Sequence, residues 1–469
     1  MGSSTTANAS HGRRSPRVTS SASVTTRSGS PTAEGRRPKA RARTIAALVL
    51  AALALSSEVE PARAAGSQSS DAGPWTEGTS LPPEATAVRI KRADEYLYFE
   101  PAAGATRRGS AAKEARLPLF GARNGPGCRE PWYAVGPSAW VCGDHVELTR
   151  GAPVAAASRT FEPSSDGLPY RYYFVGPSGS YGHKKLLDAD IKEPDVQLEP
   201  GFAVAIMEER SFEGERWGLS GNGLWIPLRD LGPTRPFSFQ GSEVPAAAST
   251  TIPFAWVYAS SARVFSGPST GQPTAESIAQ FVKVDALEEA GTFEKMTRIG
   301  DKRWVRSKDV RRPTVAAPPD EVDVAAKERW VDVELATQTL VAYEGSAPVF
   351  ATLVSTGKGK PGTANATPTG VHRVWVKLSS ANMDNLEDDG ASRFWRMENV
   401  PYVQYFSKGV GLHGAYWHRS FGNVRSHGCV NLAPLDAQRL FWFTGPRLPA
   451  GWTAILPTSH EKGAVVRVR

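Results

Sequence analysis

Past residue 85 the chain is cut into short β-forming runs by glycines and prolines, 44 and 36 of them in 469 residues. A proline donates no backbone hydrogen bond and a glycine turns where other residues cannot, so such runs suit short strands joined by turns. Ala87-Val88-Arg89-Ile90 opens one stretch, residues 170–174 a second and Ala255-Trp256-Val257-Tyr258 a third. Each stretch ends on a tryptophan-led strand with an apolar residue six positions on: Trp140 and Val146, Trp225 and Leu231, Trp304 and Val310. An aspartate stands one or two places before that apolar residue, as Asp144, Asp230 and Asp309. The expected fold is mainly β, with about three small β-barrels at 85–155, 160–240 and 250–313 whose tryptophans anchor the cores.

A chain of this length is expected to form two to four domains. The Pro-rich run RRPTVAAPP at 311–319 marks a boundary, with a linker at 314–327 and a further domain at 328–457. That domain opens on an alternating strand in which Val331, Val333 and Leu335 share one face. Its strong helical signal comes late, where Pro434 in a first-turn position and Asp436 precede Leu440, Phe441 and Phe443. Residues 458–469 read as a C-terminal tail.

The formal charge of +8 is concentrated at the amino terminus, since residues 1–64 hold ten Lys/Arg against three Asp/Glu. The remainder carries 45 basic and 44 acidic residues, which gives no electrostatic footprint for nucleic acid. Within 1–64, a disordered basic stretch ending in Arg36, Arg37, Lys39, Arg41 and Arg43 precedes the apolar run 45–55 and then Ala62-Arg63-Ala64. A positive region, a short apolar core and a small-x-small site describe a secretory signal, or an uncleaved membrane anchor, followed by a linker at 65–84. Export to the periplasm or cell envelope is the expectation. Oxidising compartments favour pairing of Cys128 with Cys142 inside the first barrel, and Cys429 is then the odd thiol.

Cys429 lies in GLHGAYWHRSFGNVRSHGCVNL, residues 411–432, among three histidines and several glycines. A cysteine becomes a nucleophile when a base takes its proton and nearby donors hold the charge that develops on the attacked carbonyl. His413 and Cys429 meet the first need; the backbone around Gly428 meets the second. Zinc is a rival, because His413, His418, His427 and Cys429 all bind metals, but their spacing follows no usual pattern and no metal or cofactor is expected.

His413-Gly414, eleven residues, then Ser426-His427-Gly428-Cys429-Val430-Asn431 resembles the signature of the L,D-transpeptidase (YkuD) family. So do Val354-Ser355-Thr356-Gly357 and the Thr367-Pro368-Thr369-Gly370 turn. The resemblance implies a β-rich catalytic domain with a short helix after the nucleophile, and a transferase that joins peptidoglycan stem peptides 3→3 through a Cys429 thioester. It implies His413 as base, oriented by the carbonyl of Gly414, and an oxyanion site from the N–H groups of Gly428 and Cys429. Ser426 and His427 are expected to shape the loop, and Asn431, Arg425 and Tyr405 are candidates for substrate contact. His418 is expected on the substrate side or at the surface. The three small barrels resemble bacterial SH3-like modules, with cell wall as their expected ligand. The alternatives are an L,D-carboxypeptidase or amidase using water as acceptor, and a non-catalytic wall-binding protein.

Overall fold

The computed structural model describes residues 80–153, 165–235, 237–248, 250–387 and 394–469. The signal or anchor segment, and the linker as far as residue 79, lie outside the described residues. Among the described residues no helix is long and apolar enough to cross a membrane.

The tryptophan repeat folds as one element used three times. Strand Ala139–Cys142, 3-10 turn Gly143–His145 and strand Val146–Thr149 form the first copy. The second runs Trp225–Pro227, Leu228–Asp230, Leu231–Pro233, and the third Arg303–Arg306, Ser307–Asp309, Val310–Arg311. Trp140, Trp225 and Trp304 are buried, as are Val146, Leu231 and Val310. Asp144 is the middle residue of its turn, and Asp230 and Asp309 are the last residues of theirs. Cys128 and Cys142 are joined in a disulfide, and Cys429 is free.

From residue 329 the described chain forms ten strands and one helix, labelled here in chain order: β1 (Arg329–Glu334), β2 (Thr339–Glu344), β3 (Ala347–Ser355), β4 (Gly370–Arg373), β5 (Val376–Asp384), β6 (Arg396–Ser407), β7 (Val410–Gly414), β8 (Val430–Leu432), α1 (Pro434–Phe443), β9 (Trp452–Ile455) and β10 (Val465–Val468). One sheet runs β3-β2-β1-β10-β4, with β10 parallel to β1. The other runs β8-β7-β6-β5-β9. The end of β3 crosses between them by pairing Val354 with Leu432, so the strand that follows Cys429 is sewn to both.

Three expectations are corrected here. The stretch 458–469 is not a tail: it supplies β10, with Val465, Val466 and Val468 buried between β1 and β4. β1 is covered on both faces, so Trp330 and Asp332 are buried along with Val331 and Val333. The carboxylate of Asp332 is paired with Arg467 and Arg469, which β10 brings beside it. The 314–327 stretch packs as a strap, where Ala316 N–H donates to the Tyr343 hydroxyl (2.9 Å) and Val322 is buried. Nor is the first β unit separate, since its strand Arg107–Ala111 adds to β9 at the edge of the second sheet.

Candidate active site

The site is built on the parallel pair β7 and β8, registered Leu412 to Val430, His413 to Asn431 and Gly414 to Leu432. Side chains alternate along a strand, so Gly411 and His413 on β7 share a face with Asn431 on β8 and with Cys429 just before it. Strands about 4.8 Å apart rising about 3.3 Å per residue put the His413 and Cys429 Cα atoms roughly 8 Å apart, a diagonal an imidazole can span. On the other side β6 pairs Tyr405 with Gly411, which adds the phenol to the same face. Gly411 has no side chain, so Tyr405 and Cys429 face each other across it. Burial, and secondarily Cys429, raise the Tyr405 pKa, so its hydroxyl stays protonated and able to donate.

His413 is 2% exposed. Its Nδ1 lies 3.2 Å from the Gly414 carbonyl, which fixes the proton on Nδ1 and leaves Nε2 as the basic nitrogen. Burial lowers its pKa to about 4. Burial raises that of the half-buried Cys429, opposed by a backbone hydrogen bond from Gly411. Both groups are therefore neutral at pH 7.

The loop before Cys429 is held by bonds the motif does not spell out. Gly428 has φ +128°, a conformation only glycine adopts freely, and a Cβ there would stand 3.4 Å from the Ala366 carbonyl. Its carbonyl accepts from Thr367 Oγ1 (2.6 Å), and that oxygen accepts from Gly357 N–H (2.9 Å). The Thr-Pro-x-Gly turn is thereby a latch on the nucleophile loop. Gln338 bonds both N–H and Oγ1 of Thr356. The Thr356 carbonyl accepts from the N–H groups of Arg425 and Ser426, at 2.9 and 3.0 Å. Neither Thr367 nor Gln338 is a candidate on sequence grounds. The Thr-Pro-x-Gly motif marks Thr367, whereas Gln338 carries no signal.

Other candidates are placed as follows. Ser426 Oγ donates to the Cys429 carbonyl and accepts from Gly428 N–H (3.1 Å), so that N–H is already engaged, contrary to the expected pair of oxyanion donors. His427 is exposed and stacks on Trp395, 5.5 Å between centroids, because its backbone position turns it away from the loop interior. Arg425 is exposed. His418 is neither substrate-facing nor at the surface: it is buried, its ring packs on Phe421, and its pKa is lowered to about 3 by burial and then Arg425. Ser420 N–H donates to His418 Nδ1 (3.1 Å), which leaves the ring proton on Nε2, 2.9 Å from the Asn431 amide. Asn431 Nδ2 is set toward that nitrogen and Oδ1 is buried without a partner; exchanging the amide's oxygen and nitrogen matches the Nε2 proton and makes the NH2 end the unpartnered one. Among the described residues the one cluster with metal-ligand geometry is Cys128, Cys142 and Asp144, whose sulfurs are in the disulfide.

A free thiol, an imidazole held by a backbone carbonyl and a protonated phenol on one sheet face form an arrangement suited to acyl transfer. Residues 328–451 match the YkuD family model, the L,D-transpeptidase catalytic domain. Among solved structures the chain is similar to an L,D-transpeptidase mutant from Enterococcus faecium, at 24% identity over 30% of this chain and 50% of that one, TM-score 0.24. It is similar to the E. faecium catalytic domain solved by NMR, at 26% identity over 30% and 98%, TM-score 0.24. A Mycobacterium smegmatis L,D-transpeptidase is similar at 17% identity over 39% and 81%, TM-score 0.24. The chain spans about half the length of the first of these. No curated protein matches it.

Proposed function

We propose that the chain is an exported peptidoglycan L,D-transpeptidase that forms 3→3 cross-links through a Cys429 acyl-enzyme. The observation that carries this is the β7–β8 register, which sets Cys429 on the face of a histidine whose Nδ1 is held by Gly414. His413 Nε2 takes the thiol proton as the sulfur attacks the carbonyl of the third, diamino-acid residue of a tetrapeptide stem. The tetrahedral oxyanion is met by the N–H of Cys429 and the hydroxyl of Tyr405. Collapse breaks the peptide bond, His413 returns its proton to the departing D-alanine, and a thioester remains. The side-chain amine of a second stem then attacks the thioester, losing its proton to His413, and the thiol is restored. The amide NH2 of Asn431 is a donor for a stem carboxylate. The three tryptophan-anchored units act as SH3-like modules that hold the enzyme at the wall.

Incubation of the purified protein with disaccharide-tetrapeptides, with products resolved by mass, tests this. A cross-linked dimer that disappears in Cys429→Ala is the expected result. Trimmed tripeptide alone makes the protein a carboxypeptidase, and no product from a folded protein removes the catalytic reading. A carbapenem is expected to add covalently to Cys429, and an adduct that survives Cys429→Ala refutes the nucleophile.

A further inference from the structure

The loop 415–428 carries base and nucleophile at its two ends, and fixing a loop costs about 1–2 kcal/mol per residue in backbone entropy. β3 meets part of that cost, through Gly422 N–H to the Val354 carbonyl (2.9 Å) and Ser355 Oγ to the Ser420 carbonyl (3.0 Å). A further part of the grip comes from outside the catalytic domain. Tyr172, from the second β unit, stacks on Tyr416 with centroids 3.9 Å apart and donates its hydroxyl to the Asn399 carbonyl (2.7 Å). Tyr416 meets Trp417 edge-on (5.1 Å), and Trp417 stacks on the His413 ring (5.6 Å). At the other end Arg311, on the last strand of the third unit, donates from Nε to the Gly422 carbonyl (3.1 Å) and lies 3.4 Å over the Tyr258 ring. Gly422 has φ +88°, and a Cβ there would come 2.9 Å from that of Tyr258, so the two segments touch at the backbone. Beside it Phe421 packs on His418 (4.9 Å), whose ring bonds the Asn431 amide opposite His413.

We infer that the second and third β units are built into the active centre: Tyr172 at one end and Arg311 at the other clamp the catalytic loop and are positioning residues for His413. The inference rests on His413 being the base of the proposed reaction, yet its test does not need that reaction. The titratable groups around His413 are Cys429, Tyr405, His418 and Tyr416; Tyr416 donates its hydroxyl to the Glu398 carbonyl. None of them brings a fixed charge, so burial governs the imidazole, and loosening the clamp admits water.

The full chain, labelled at histidine, is titrated by NMR, with the His413 signal assigned through His413→Gln. In the wild type that signal stays neutral down to about pH 5. In Tyr172→Ala and Arg311→Ala its midpoint rises by at least about one pH unit toward the ordinary value near 6.5. Carbapenem acylation of Cys429 slows about tenfold or more. Tyr172→Phe keeps the stack and the wild-type midpoint, and Arg311→Lys, which loses the Nε–H bond, shifts like Arg311→Ala if Tyr172→Ala does not fold. An unmoved midpoint in folded Tyr172→Ala and Arg311→Ala, or in folded Arg311→Lys where Tyr172→Ala does not fold, overturns the inference. A wild type that never acylates counts against the proposed function instead, and the titration still judges the clamp.

Discussion

Replacing His413 with glutamine separates two accounts of how the thiol is activated. With the imidazole pKa at about 4 and the thiol above its ordinary value near 9, the two are at least about five pH units apart. Moving the proton from sulfur to nitrogen then costs at least about 7 kcal/mol before the ions attract. If the two were brought to about 4 Å, attraction in a partly polar interior would return about 4 kcal/mol. The thiolate–imidazolium pair thus stays about 3 kcal/mol above the neutral pair and is populated below about 1%. In the proposed reaction His413 accordingly acts as a general base during attack and does not store a ready thiolate. Iodoacetamide alkylation, followed by intact mass across pH, reads the thiolate directly, because Cys429 is the one thiol outside the disulfide. Its rate is expected to climb without a plateau until above about pH 9, with the same curve in His413→Gln. Carbapenem acylation should fall about 10²- to 10⁴-fold in that variant, and in the wild type be lost only as pH drops through about 4. A plateau in alkylation between about pH 5 and 8 that vanishes in His413→Gln would refute the reasoning.

Three further outcomes follow from the fold. Gly428→Ala forces a side chain into φ +128° beside Ala366, costing about 1–3 kcal/mol, so a lower Tm and slower carbapenem acylation are expected together. Asp436, in the first turn of α1, is buried and accepts from Gly241 N–H (2.9 Å) and from Thr352 Oγ1; burial raises its pKa to about 7. Between about pH 4 and 7 the folded chain holds a proton the unfolded chain has lost, so this group's stabilisation is full below about pH 4 and falls as pH rises to 7. Asp436→Asn keeps both partners, and denaturant unfolding should find it ahead by up to roughly 4 kcal/mol above pH 7 but not below pH 4; a constant difference contradicts this. Ending the chain at Pro457 removes Val465, Val466 and Val468 at about 1.5–3 kcal/mol each, comparable to the stability of a whole domain. Circular dichroism of that truncated protein should report loss of the native fold.

The sequence alone carried what depends on neighbours a few positions apart. Turn residues between β-branched runs imply short strands, Pro434 with Asp436 starts a helix, and glycines and histidines around a lone cysteine mark a candidate site. The tryptophan spacing likewise became one strand, turn and strand, because six residues are a single local unit. Contacts between segments far apart in the chain followed different rules. Asp332 reads as the polar position of an alternating strand until β10 covers it and brings Arg467 and Arg469 from more than a hundred residues away. The carbonyl of Gly428 looks free until the Thr367 hydroxyl, from a separate turn of the chain, donates to it. Tyr172 and Arg311 carry no motif at all, since what they do depends on which loop lies against them. Local patterning fixes conformation through steric and hydrogen-bond preferences of adjacent residues, whereas burial, pKa and the grip on His413 arise only when distant strands exclude water together.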